Sequence, residues 1–266
     1  MIMMMRRLSV FIASIALCCP ISAAVKDYVL KVQEKYPHDG SAYTQGLFFH
    51  DGTMYESTGQ YGQSSVRIVD YRTGKVVKSV RMAARHFGEG SCIVDGKLYV
   101  LTWKNKMAFI YDPATLKCLK TLSYPRDGWG LTGIPEDARK DFAGAVMVAS
   151  DGSSSIYFLD RKLSTLKSVT VKLNGRPMRL LNELEWIDGK IWANVYTTDL
   201  ILIIDPATGN VIGKMDCSSL IPQDKRTPSM DVLNGIAVRH TDKGEDEIFL
   251  TGKNWPWMFR VSVSER

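Results

Sequence analysis

The sequence predicts an all-β chain of five similar units, and three observations carry that prediction. The first is a repeat of short apolar runs, each headed by a polar or aromatic residue. The heads are Gln45 before Gly46-Leu47-Phe48, Glu89 before Gly90-Ser91-Cys92-Ile93, Trp129 before Gly130-Leu131, Asn182 before Glu183-Leu184, and Asn234 before Gly235-Ile236. Successive heads are 44, 40, 53 and 52 residues apart, close to the spacing of about 40 to 50 residues that marks propeller blades. The second is an Asp-Gly hairpin signal after the inner run, at Asp51-Gly52, Asp95-Gly96 and Asp188-Gly189. The third is a shared turn after the third run: Asp70-Tyr71-Arg72-Thr73-Gly74, Asp112-Pro113-Ala114-Thr115-Leu116 and Asp205-Pro206-Ala207-Thr208-Gly209. Four strands per unit make a blade, so the expected fold is a five-bladed β-propeller with the five heads at one end of its axis.

Taken in order, the chain opens with Arg6-Arg7, an apolar stretch from Leu8 to Leu17 and the small residues Ser22-Ala23-Ala24. This is the layout of a secretory signal peptide over residues 1–24, which leaves one domain over 25–266. The apolar stretch is shorter than the roughly 20 residues a membrane-crossing helix needs. The protein is expected to be exported, to the periplasm or beyond. A lipid anchor on Cys18 or Cys19 is disfavoured by bulky Leu17 or Cys18 in front of each cysteine. The run Tyr28–Val32 precedes the first unit, while the last unit supplies only three strands. The N-terminal run is therefore expected to complete the last blade, and truncating it to open the ring. Second strands are read at 54–56, 97–100, 146–148 and 191–194. The charged insertion 134–144 is expected as a solvated loop with at most a helical turn, and the segment 218–228 as a connection.

About 240 residues suit one all-β core. The net charge of +6 falls to +4 without Arg6 and Arg7, and its basic residues are interspersed with acids, which gives no support for nucleic acid as a partner. Cys92, Cys118 and Cys217 allow one disulfide at most, with Cys92 and Cys118 in one unit. The four histidines have no ligand spacing, and no P-loop, zinc-protease helix or nucleophile elbow occurs. No metal or cofactor is expected.

Glu89 is the one ionisable head, flanked by Phe87-Gly88 and Gly90. A carboxylate there would lose water and gain a pKa suited to proton transfer near neutrality. Gln45, Asn182 and Lys253 offer donors for a carbonyl oxygen that gains charge. Trp103, Trp129 and Tyr196 are candidates for a pocket wall, and Trp192, Trp255 and Trp257 for the core. Two other classes stay open on these residues: a non-catalytic propeller that binds a ligand at the same end, and a glycosidase. The second would need paired carboxylates, and Glu183, beside a head, falls on the alternate strand face.

The motifs Tyr36-Pro37-His38-Asp39, Tyr43-Thr44-Gln45-Gly46-Leu47, Ser64-Ser65-Val66-Arg67, Phe87-Gly88-Glu89-Gly90, Asp127-Gly128-Trp129-Gly130-Leu131, Leu181-Asn182-Glu183-Leu184-Glu185 and Thr251-Gly252-Lys253-Asn254-Trp255-Pro256 resemble the plant and bacterial type of glutaminyl-peptide cyclotransferase. The resemblance covers nearly all of the chain after the leader. It implies a five-bladed propeller, unrelated to the zinc-dependent animal type, that turns the N-terminal glutamine of a peptide or protein into pyroglutamate with release of ammonia; a monomer is expected. Matched residue by residue, it implies Glu89 as acid/base, Phe87, Trp103 and Trp129 as pocket aromatics, Gln45, Asn182 and Lys253 as polar pocket residues, and Arg67 as a supporting residue. Tyr43 stands where the plant pattern favours Phe, and Tyr196 where it favours Trp, which bears on substrate preference.

Overall fold

The computed structural model describes residues 24–266; the leader expected over residues 1–24 lies almost wholly outside them. The chain is all-β. Three four-stranded antiparallel sheets follow in sequence. The first holds Thr44–His50, Thr53–Thr58, Ser65–Asp70 and Lys75–Arg81, and the second Gly88–Val94, Lys97–Thr102, Met107–Tyr111 and Cys118–Ser123. The third holds Leu131–Gly133, Met147–Ser150, Ser155–Leu159 and Thr165–Thr170. An eight-stranded sheet carries the rest, apart from a two-stranded ribbon, Lys172–Leu173 with Arg176–Pro177. Half of it, the fourth unit, is Leu181–Ile187, Lys190–Val195, Leu200–Ile204 and Val211–Asp216. The other half, the fifth, is Leu233–His240, Asp246–Gly252 and Trp257–Glu265, completed by the N-terminal strand Lys26–Pro37.

That N-terminal strand does more than the sequence suggests. It pairs antiparallel with Trp257–Glu265 from Tyr28 to Pro37, and its first residues, Lys26 to Tyr28, also pair in parallel with Gly213 to Met215. The second pairing fuses the fourth and fifth units into one sheet. Gly213 lets it happen, because a Cβ there would fall 2.5 Å from the Tyr28 ring.

The leading strands of the five units touch in a cycle, each against the next and the fifth against the first. The core is divided accordingly into clusters between neighbouring units. Alternation along a strand explains the division: Leu98 and Val100 face the first unit, while Tyr99 and Leu101 face the third. Strands buried on both faces read as unbroken apolar runs for this reason. At roughly 1.5–3 kcal/mol for each large apolar side chain buried, these interfaces hold the units together.

Two buried acids reinforce the ring. Glu183 accepts the N–H groups of Ile236 (2.9 Å) and Leu47 (3.5 Å), and Glu185 accepts that of Val238 (3.2 Å) and the Thr132 hydroxyl (3.1 Å). Together they tie the leading strand of the fourth unit to those of the fifth, first and third. Burial raises both pKa values, that of Glu185 to about 8.

Several details differ from the sequence reading. The insertion holds a 3-10 helix, Glu136–Phe142, whose Phe142 is buried against Phe158 at 5.0 Å between ring centroids rather than solvated. Trp257 is 37% exposed, with the Lys35 ammonium 3.7 Å from its ring centroid, and is not core. Cys92 and Cys118 occupy opposite edges of one four-stranded sheet. Three strand spacings of about 4.8 Å separate such edges, too far for a bridge, and the three cysteines among the described residues, Cys92, Cys118 and Cys217, are free. No helix among the described residues is long and apolar enough to cross a membrane.

Candidate active site

Four of the five heads sit at a break in strand register. The pairing with the second strand shifts between Thr44 and Gly46, between Gly88 and Ser91, between Leu181 and Leu184, and between Leu233 and Ile236. Gln45, Glu89, Asn182 and Asn234 fall inside those shifts. A bulge of this kind leaves residues out of the ladder and re-aims their side chains, and such bulges concentrate beside functional sites. Trp129 is placed differently, just before its strand. Its carbonyl accepts the Gly90 N–H at 2.7 Å, which draws it against the Glu89 bulge. A Cβ on Gly90 would lie 2.5 Å from that same carbonyl oxygen, so glycine is required there.

Four heads, Gln45, Glu89, Trp129 and Asn182, meet in a cavity of about 170 Å³, which Tyr43, Gln60, Phe87, Trp103, Tyr196 and Lys253 also line; the fifth, Asn234, is not part of the lining. Its walls are aromatic. Phe87 meets Trp103 edge-on at 5.6 Å and Tyr43 at 6.0 Å, and Trp129 meets Tyr196 at 5.6 Å. Two glycines seat these rings, since a Cβ on Gly59 would come within 2.2 Å of Phe87 and one on Gly152 within 2.6 Å of Trp129.

The charged pair inside the cavity is unusual. Glu89 is 4% exposed, and burial drives its pKa well above 4.5, with the Lys253 charge opposing and Asp127 assisting. Lys253 is 2% exposed, and burial lowers its pKa to about 8 against the pull of Glu89 and Asp231. Its ammonium rests between two rings, 4.9 Å from the centroid of Tyr43 and 4.8 Å from that of Tyr196, where the π-faces replace part of its lost hydration. Backbone bonds fix it in place: the Lys253 N–H donates to Val232 and its carbonyl accepts from Asp231, each at 2.9 Å. Desolvation that moves an acid up and an amine down brings both toward neutrality, the condition for exchanging protons.

The structure thus brings together Glu89, Gln45, Asn182, Lys253, Phe87, Trp103, Trp129, Tyr43 and Tyr196. Arg67 is not among them. Its guanidinium lies 2.7 Å from Asp39 and 3.7 Å from Glu56, in a partly buried ionic cluster outside the cavity lining. Its place in the middle of the strand Ser65–Asp70 keeps it from the end where the heads converge. Gln60 is a lining residue that sequence reading passes over. It occupies a tight turn at φ 82°, where no periodic pattern marks it; its carbonyl accepts the Gln63 and Ser64 N–H groups. The segment 218–228 is absent from the lining and acts as a connection, pinned by Arg226 to Asp199 at 2.7 Å.

Fold and site together define a class: mostly antiparallel sheets whose leading strands touch in a cycle, with an aromatic pocket at their bulges that encloses one acid and one amine. Residues 6–263 match the family model described as glutamine cyclotransferase. The chain belongs to the glutamine cyclotransferase family. It is 37% identical over 243 residues to the glutaminyl-peptide cyclotransferase of Arabidopsis thaliana, covering 89% of this chain and 72% of that protein. Among solved structures, it is similar to the glutaminyl cyclase of Myxococcus xanthus, with a TM-score of 0.80 and 34% identity over 91% of this chain and 99% of the other.

Proposed function

We propose that the chain converts the N-terminal glutamine of peptides or proteins to pyroglutamate with release of ammonia, and does so in the pocket at Glu89. The observation that carries the reading is the enclosure of a buried acid and a buried amine, both moved toward neutral pKa values, in one small aromatic cavity. Membership of the family and the name of the Arabidopsis relative support it.

The substrate's α-amine attacks the carbonyl carbon of its own side-chain amide. A carbon–nitrogen bond forms and closes a five-membered ring, and the bond to the amide nitrogen breaks. Glu89 takes the proton that the amine loses and returns one to the departing nitrogen, so that ammonia leaves rather than an amide anion. A free α-amine titrates near roughly 8, and an acid raised by burial is better matched to it than an ordinary glutamate. Gln45, Asn182 and Lys253 orient the amide and stabilise its oxygen as charge develops. The rings of Phe87, Trp103, Trp129, Tyr43 and Tyr196 hold the flexible side chain folded over the amine, which supplies the orientation that the reaction needs.

The same reading takes the five units as blades of a propeller, the last completed by Lys26–Pro37, a view supported by the cyclic contact of leading strands. It takes residues 1–24 as an export leader and the mature protein as a monomer in the periplasm or outside the cell. The test is to incubate the protein with a peptide that begins with glutamine and follow ammonia and peptide mass. Loss of one NH₃ per peptide is expected; intact peptide after prolonged incubation would leave a binding protein in place of an enzyme.

A further inference from the structure

Asn234, the fifth head, lies outside the pocket lining, yet it touches a residue that is part of it. Its side-chain nitrogen is 2.9 Å from the Thr44 carbonyl oxygen and 3.3 Å from the Gln45 side-chain oxygen. The first contact fixes the Asn234 amide, because a backbone carbonyl only accepts and must be faced by the NH₂ group. With that NH₂ in place, the Gln45 atom opposite must be its oxygen, since a second NH₂ would set donor against donor. The Gln45 amide is thereby turned so that its NH₂ is the group left for the cavity. Asn234 is itself held from behind: Gly235 sits at φ 122°, and its N–H donates to the Asn194 side-chain oxygen at 3.0 Å.

We propose that Asn234 is a positioning residue that sets the donor face of Gln45 toward a carbonyl oxygen of the substrate. The proposal rests on the cyclotransferase reading and names what Gln45 recognises: an acceptor, such as the side-chain carbonyl under attack. Among the described residues the Gln45 NH₂ donates to no protein group, which leaves it available.

A double-mutant cycle of Asn234→Ala and Gln45→Ala, read as kcat/KM on a glutaminyl peptide, tests it. Asn234→Ala alone is expected to lower kcat/KM by about tenfold or more, and by less than about twofold in the Gln45→Ala background, because the two act as one unit. Equal losses in both backgrounds would overturn the proposal and leave Asn234 a purely structural residue. Gln45→Glu is the second variant. It keeps an oxygen for Asn234 but shows the cavity an acceptor, so a rise in KM with an unchanged melting temperature is expected. Wild-type kinetics in Gln45→Glu would mean that the amide faces the other way. Absence of any turnover by the unsubstituted protein would sink the cyclotransferase reading instead, a result distinct from either of these.

Discussion

Glu56 and Glu89 are both shut away from solvent, on neighbouring units, and their protons behave in opposite ways. Glu56 is 1% exposed and accepts the Thr44 hydroxyl at 2.7 Å; His38 stands 3.0 Å away, and Arg67 3.7 Å. Burial, the largest single influence, pushes its pKa up, but the His38 and Arg67 charges and the hydrogen bonds to His38 and Thr44 together hold it below 4.5. Burial likewise opposes charge on His38, whose pKa is nonetheless raised above 6.5 by Glu56. Glu89 meets the same burial with no hydrogen bond to its carboxylate among the described residues, and only the Lys253 charge in compensation. Desolvation is common to both carboxylates; what differs is whether neighbours satisfy the charge. One acid fastens the fold and the other is left poised to exchange a proton.

The largest expected effect is on the poised side. Glu89→Gln removes the proton carrier and should lower kcat by about 10²- to 10⁴-fold, with the melting temperature little changed, since the carboxylate has no hydrogen-bond partner to orphan and Lys253 keeps Asp231. Near-normal turnover would end the acid/base role. On the fastened side, Glu56→Gln leaves His38 buried without its counter-charge, while Arg67 keeps Asp39. Urea unfolding should show a loss of about 3–5 kcal/mol, the usual cost of breaking a buried pair from one side. A loss below about 1 kcal/mol, the range of exposed pairs, would erase the contrast drawn here.

Lys253→Met sharpens it. Lys253 is the charge that lowers the Glu89 pKa, so without it that pKa rises further and the acidic limb of the kcat/KM profile should move to higher pH. An unmoved limb would assign the limb to another group. The smallest effect concerns stability against pH. Glu56, depressed when folded, stabilises above its ordinary 4.5, and that contribution is lost as pH falls through its folded value. His38, raised when folded, stabilises fully below 6.5 and less as pH climbs through its own folded value. Glu185 works against the fold as pH rises from 4.5 toward about 8, because the unfolded chain ionises it freely while the folded chain resists. Stability should therefore peak near pH 4.5 and decline above it, with His38 adding to the decline above about 6.5. Glu185→Gln should flatten the decline on the alkaline side; an unchanged slope there would show that Glu185 does not set it.

The strands and their turns were legible because the first, second and fourth units state the same pattern in local terms: an apolar run, an Asp-Gly turn, and an Asp whose carboxylate receives the threonine of its own turn, as at Asp70, Asp112 and Asp205. The heads were legible as a recurring position, but what aims them was not. A strand read with period two puts Asn182 and Glu183 on opposite faces, whereas the register shift over 181–184 lets one line the cavity and the other clamp the ring. Register is a property of two strands, and a single run of residues does not contain it. Arg67 marks the converse limit: its motif locates a strand, while only the paired sheet shows that its side chain belongs with Asp39 and Glu56.

The double pairing of the N-terminal strand has a consequence for how the molecule comes into being. Lys26–Pro37 is the first of the described strands to be synthesised, yet its partners Gly213–Met215 and Trp257–Glu265 follow only after all three four-stranded sheets. The first three units can pair from local hairpins while the chain is still growing, but the seam must wait until Trp257–Glu265 has been made. Such distant pairing is slow, and the waiting edges are open to wrong partners. Completion of the ring is therefore a timed event, and the seam between first and last strands is where a folding catalyst or a chaperone would have the most to guard.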